Sequence, residues 1–214
     1  TGPIFYVARK ENLKSASALK TFSLYPAGDC LHITSNIDEP TYICPVTKNQ
    51  NNFTWPTSVG SDNYVPGKTI QMDLNGNGFN FLGRGWSSPE DWGIWSDASS
   101  AHLKFRLPRL PSGGMIFSFM SHAFISAKHP SLGVDVIVNG QSLHSFAYRI
   151  PKDTADSMRS VKIPRDLLAK SHGRLQIEFQ ISSPVSPASL GMSTDSRTLG
   201  LGLVWVRLTP LPQH

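Results

Sequence analysis

Between residues 85 and 97 the chain reads GWSSPEDWGIWSD, which gathers three of its five tryptophans (Trp86, Trp92, Trp95) and three carboxylates (Glu90, Asp91, Asp97) into thirteen residues. Indole rings offer flat apolar faces to the C–H surfaces of sugar rings, and carboxylates accept hydrogen bonds from hydroxyls, so the combination suits glycan recognition. The same residues also fit a structural reading, in which the tryptophans close the end of a β-sandwich while Glu90 and Asp91 cap turns or pair with arginine. A second segment, GMSTDSRTLGLGL (191–203), places Asp195 and Arg197 two apart. Strand spacing would put both on one side, where they either receive a hydroxylated or anionic ligand or bridge Arg197 to Glu90 or Asp97 and hold the tryptophan loop. The candidate binding set is therefore Trp86, Glu90, Trp92, Trp95, Asp97, Asp195 and Arg197.

Other chemistry finds less support. The run DLNGNG (73–78) has the oxygen ligands and glycine of the first half of an EF-hand loop, but Arg84 stands where the closing bidentate carboxylate belongs, so a plain Asn/Gly turn is expected. No cofactor is expected; calcium held jointly with other loops is the one metal the pattern leaves open. Gly-x-Ser-x-Gly, the P-loop and His-Glu-x-x-His are absent. Glu90 with Asp91 or Asp97 would supply two carboxylates for glycoside cleavage, yet neighbours on one turn rarely face a bond from both sides. The chain is not expected to be catalytic by itself.

The elements that must position these residues are strands. Seventeen Gly and sixteen Pro supply many chain reversals, and only 16% of residues are charged, against about a quarter in an ordinary globular chain. Strands are expected at 69–74, 101–107, 115–120 with 123–126, 133–138, 142–149, 160–163, 174–181 and 199–208. Alternation in LKFRL (103–107) and LQIEFQI (175–181) puts apolar side chains on one face, as in a sheet packed against another sheet. Asn139-Gly140 between two strand-like runs predicts a two-residue hairpin turn, and Pro164 to Gly173 brackets one short helical segment. The expected fold is all-β, a jelly-roll-like sandwich of two antiparallel sheets over residues 66–214, preceded by an N-terminal extension or cap, 1–65, with a short amphipathic helix around Glu11–Lys20.

Within that extension the only two cysteines, Cys30 and Cys44, have thirteen residues between them in a loop or hairpin running from Ala27 to Lys48. A local disulfide is the expected state, which would place the protein in the periplasm or outside the cell; two reduced thiols are the alternative. The formal charge of +5 would suit nucleic acid or an anionic glycan, but no run of five basic residues occurs, and nucleic acid is not an expected partner. The longest apolar-leaning stretch, 113–127, is interrupted by Ser118, Ser121 and His122 and is too short to span a bilayer. A chain starting at Thr1 fits a mature protein or a piece of a longer one.

Taken together, PGKTI (66–70), the tryptophan segment, VIVNG (136–140) and DSRTLGL (195–201) resemble a domain at the C-terminal, extracytoplasmic end of bacterial membrane-bound envelope-glycan enzymes, among them phosphoglycerol transferases and glycosyltransferases. The resemblance covers about residues 66 to 208. It implies a jelly-roll-like sandwich attached to, or derived from, periplasmic machinery that modifies a polysaccharide, with a glycan or the membrane-bound remainder of a larger enzyme as partner. It identifies no catalytic residue. The reading it favours is a carbohydrate-binding or accessory domain; a substrate-shaping part of a transferase and a protein-interaction module are the alternatives.

Overall fold

The computed structural model describes residues 5–8, 23–27, 30–34, 41–45 and 62–211. The chain divides into two compact units, Thr1–Ser61 and Asp62–His214. In the first, β1 (Phe5–Ala8), β2 (Ser23–Ala27), β3 (Cys30–Thr34) and β4 (Thr41–Pro45) form one antiparallel sheet in the order β1-β4-β3-β2. The segment that carries the cysteines is thus a hairpin of β3 and β4, with Leu31 opposite Ile43. The expected helix near Glu11–Lys20 and the side chains of Cys30 and Cys44, and with them the expected disulfide, lie outside the described residues.

The second unit is a sandwich of two antiparallel sheets. Its strands are β5 (Ile70–Gln71), β6 (Ile94–Asp97), β7 (Ser100–Arg106), β8 (Met115–Ala123), β9 (Ser131–Val138), β10 (Gln141–Arg149), β11 (Ser157–Ile163), β12 (Arg174–Ile181) and β13 (Leu199–Pro210). Sheet I has the order β10-β9-β12-β7; sheet II has β11-β8-β13-β5, with β6 also paired to β13. If β5 and β6 are taken as one interrupted strand, this is the jelly-roll order expected from the sequence. The helix α1 (Arg165–Lys170) follows Pro164, as the Pro-to-Gly bracket requires.

Alternation explains the core. In β12 the residues Leu175, Ile177, Phe179 and Ile181 point inward and are almost completely buried, while Arg174, Gln176 and Gln180 point out. Phe179 from sheet I meets Phe117 and Phe119 from sheet II, with ring centroids 6.1 and 5.3 Å apart, so one ring joins both layers. The β9–β10 hairpin turns at Asn139 and Gly140, both at positive φ (50° and 81°), the geometry that Asn-Gly supplies cheaply.

Several strands depart from the sequence expectation. The run 69–74 yields only β5, Ile70–Gln71, and the expected 123–126 is not a strand beyond Ala123. Strand β8 runs unbroken through Ser121 and His122 because both find distant partners: the buried Ser121 hydroxyl meets the Tyr148 hydroxyl of the opposite sheet at 2.8 Å, and His122 turns outward to Asp156. Strand β6, inside the tryptophan segment, has no apolar run to announce it, and its alternating burial emerges only once Ile94 and Ser96 turn toward the core.

Because Phe179 links the two layers, Phe179→Ala is expected to cost about 3–5 kcal/mol, the usual range for truncating a buried phenylalanine. Urea unfolding followed by far-UV circular dichroism checks this: the midpoint falls while the slope stays unchanged.

Candidate functional site

The outer face of sheet II positions the aromatic residues. On β13, Gly202 pairs with Trp95 of β6 on one side and with His122 of β8 on the other. Gly202 brings no side chain, so the imidazole lies across it; a Cβ there would come within 2.5 Å of His122 Nε2. His122 and Trp95 meet over this gap at 4.8 Å, nearly perpendicular, and Trp95 also meets Phe124 at 6.0 Å.

Trp92 arrives from the tight turn preceding β6. Glu90 and Gly93 exchange backbone hydrogen bonds, leaving Asp91 and Trp92 at the tip. From there the Trp92 ring packs on Trp95 (5.1 Å) and on His122 (4.6 Å), closing a three-ring cluster. Its indole N–H donates to Glu90 Oε2 at 2.9 Å, which fixes the ring's orientation. The His122–Asp156 contact is 2.6 Å through Nδ1. A carboxylate accepts, so Nδ1 donates to Asp156, and Nε2 has no hydrogen-bond partner among the described residues.

A charged clamp holds the turn. Arg197 Nη1 donates to Glu90 Oε1 at 2.9 Å, and Arg197 Nε and Nη2 both reach Asp195 Oδ2, at 3.0 and 2.7 Å. Hydrogen bonds from Arg197 hold the Asp195 carboxyl below the usual carboxylate range, outweighing its partial burial. The bonds to Asp195, with a smaller contribution from Glu90, push the Arg197 guanidinium up despite desolvation. The pair sits in the loop before β13 rather than in a strand, so direct side-chain contact, not strand spacing, brings the two together.

Of the seven residues expected at the site, Glu90, Trp92, Trp95, Asp195 and Arg197 form one connected group. Asp97 is nearby but occupied, its Oδ1 accepting from the Thr198 amide at 2.7 Å. Trp86 stands apart, its N–H bonded to the His102 carbonyl (2.7 Å) and its ring against Phe179 (5.9 Å), so it plugs the end of the core. For Trp86 the structural reading of the tryptophan segment holds. His122 and Asp156 were not singled out in the sequence; the signal available was that His122 shares the outward parity of Met120 in β8. Among the described residues no group of three His, Cys, Asp or Glu side chains is placed to hold a metal ion.

No family model matches the sequence, and no curated protein does. Among solved structures the chain is similar to a CBM36 carbohydrate-binding module in complex with calcium and xylotriose (12% identity, 66% of this chain and 99% of that one, TM-score 0.38). It is also similar to a family 35 carbohydrate-binding module from an environmental isolate (12% identity, 70% and 90%, TM-score 0.33). A third is the insecticidal delta-endotoxin Cry8Ea1 of Bacillus thuringiensis (7% identity, 89% and 30%, TM-score 0.46). The protein's class, a jelly-roll β-sandwich, is defined by its own two sheets.

The clamp makes a pH prediction. Asp195 is depressed in the folded state, so its contribution is fully present above the ordinary aspartate value of about 3.9 and is lost as pH falls through the lower folded value. The difference in thermal midpoint between the wild type and Asp195→Asn is expected to stay constant from neutral pH to about pH 5 and to shrink below about pH 4. Differential scanning fluorimetry across that range reads it directly.

Proposed function

We propose that this protein is a glycan-recognition β-sandwich that binds sugar through the partly exposed Trp92, Trp95 and His122 rings. The observation that carries this reading is the three-ring cluster on an outer sheet face, held by hydrogen bonds at its rim instead of being absorbed into the core. A ring face that the core does not need is free to stack on a sugar's C–H surface, while Glu90, Arg197 and His122 Nε2 bring donors and acceptors to its hydroxyls. Trp92 and Trp95 are the stacking residues, and Asp195 positions Arg197.

The setting we propose is the periplasm or cell exterior, as an accessory domain of machinery that modifies envelope polysaccharides. Two features support it: the sequence resemblance, and the β3–β4 register, which continued one step beyond Leu31 and Ile43 puts Cys30 opposite Cys44, where a disulfide can form. Among the described residues no helix is long and apolar enough to cross a membrane.

On an array of bacterial envelope polysaccharides, the wild type is expected to bind a defined subset. Trp92→Ala should weaken that binding at least tenfold with an unchanged circular dichroism spectrum, whereas Trp86→Ala should lower the thermal midpoint. A blank array for the folded wild type overturns the reading. Separately, denatured protein purified without reductant should show no thiol reactive with Ellman's reagent; two reactive thiols per chain would remove the disulfide.

A further inference from the structure

The outer face of sheet II continues beyond the aromatic cluster. Register shifts between Leu203 and Trp205 in β13, so Trp205 and Arg207 both face outward past this bulge. Trp205 lies opposite Met120, itself opposite Met158, giving an apolar row in which Met158 is 58% exposed. The next row is polar: Arg207 lies opposite Ser118, which lies opposite Ser160, the two serine hydroxyls 2.9 Å apart. Beyond it, the exposed Lys162 pairs in register with Ile116.

Arg207 is the unusual member. Its guanidinium carbon sits 5.6 Å from the Trp205 ring centroid, and its Nε is buried with no hydrogen-bond partner. Two other arginines held against aromatic or tryptophan-bearing segments have carboxylates, Arg159 with Asp153 and Arg197 with Asp195 and Glu90. Neither Arg207 nor Lys162 makes an ion pair among the described residues. A guanidinium fixed on a sheet face without an anionic partner is a fork awaiting one.

Position supplies the rest. His122 and Met120 are two apart on one face of β8, so the Trp205 row runs about 7 Å from the Trp95–His122 row. That offset is on the scale of one sugar unit, so a chain stacked on Trp92 and Trp95 runs on over Trp205 and Met120 and brings a substituent to Arg207 and Lys162. We infer that the outer face of sheet II carries a cationic subsite, Trp205 with Arg207 and Lys162, which takes an acidic sugar unit of the same glycan. The inference rests on the glycan reading above and narrows its ligand to an anionic polysaccharide, carboxylated or sulfated.

Two polymer pairs with matched backbones test it by affinity electrophoresis of the full chain: polygalacturonate against its methyl ester, and dextran sulfate against dextran. The wild type is expected to be retarded at least tenfold more strongly by the acidic member of one pair, and the responding pair identifies the acid. Arg207→Gln with Lys162→Gln should erase that preference and keep any binding to the neutral member, while Trp92→Ala should weaken both members. A charge-matched control on sheet I, Lys104→Gln with Arg174→Gln, should leave the preference intact. Equal retardation by both members of each pair overturns the subsite but not the glycan reading. So does a preference that survives the Arg207 and Lys162 changes, or one that falls equally in the control. If no polymer in either pair retards the folded protein and the polysaccharide array is blank, the glycan reading fails and the subsite fails with it.

Discussion

One strand must serve two faces, and the rest of the sandwich is arranged around it. Strand β13 is hydrogen-bonded to β8 along one edge and to β5 and β6 along the other. Its inward residues Leu201, Leu203, Val206 and Leu208 are completely buried in the core. Its outward face carries no side chain at Gly202 and large groups beyond it, Trp205 and Arg207. An added methyl group would collide with the outward His122 ring at Gly202, and with Ile181 Cγ2 of the core, at 2.7 Å, at Gly200. The missing side chain at Gly202 lets β8 lay the His122 ring over the backbone, and the bulge then restores outward parity for Trp205.

Electrostatics ties the loops to that frame in two different ways. Near the aromatic cluster, the Glu90–Arg197–Asp195 clamp is about one-third exposed, with side-chain exposures of 35%, 35% and 28%, so it is weak as a source of stability and useful for orientation. Between β10 and β11, Asp153 is 5% exposed and accepts from the Arg149 amide and from Arg159, which stacks on Tyr148. Burial pushes the Asp153 carboxyl up, but the hydrogen bonds and the guanidinium together hold it below the usual range. That second pair locks a corner of the sandwich; the first aims a ring.

Much of the fold was legible because alternation is local. The runs 103–107 and 175–181 announce a face buried on one side, and Asn139-Gly140 announces its own turn. What was not legible depends on partners far away in the chain. Ser121 and His122 look like an interruption until Tyr148 and Asp156 are brought beside them. The tryptophan segment showed which ring chemistry was present but not which ring faces which way. Trp86 precedes the Glu90–Gly93 turn and Trp92 sits at its tip, and the direction of each depends on a backbone geometry that residue types alone do not dictate. The pairing of Arg197 with Glu90 was legible as one of two options, since opposite charges in two loops are compatible with several closures.

The interruption between β5 and β6 has its own consequence. Both occupy the same edge of β13, at Val206 and Trp205 for one and at Leu203, Gly202 and Leu199 for the other, so the residues between them form an excursion from a single ladder. Met72 and Phe81 anchor this excursion in the core, while its tip carries Trp92. Insertions or substitutions at the tip leave the ladder on either side intact. The architecture thereby separates change in the surface at the tip from change in foldability, and a lineage can re-cut the tip without first rebuilding the scaffold beneath it.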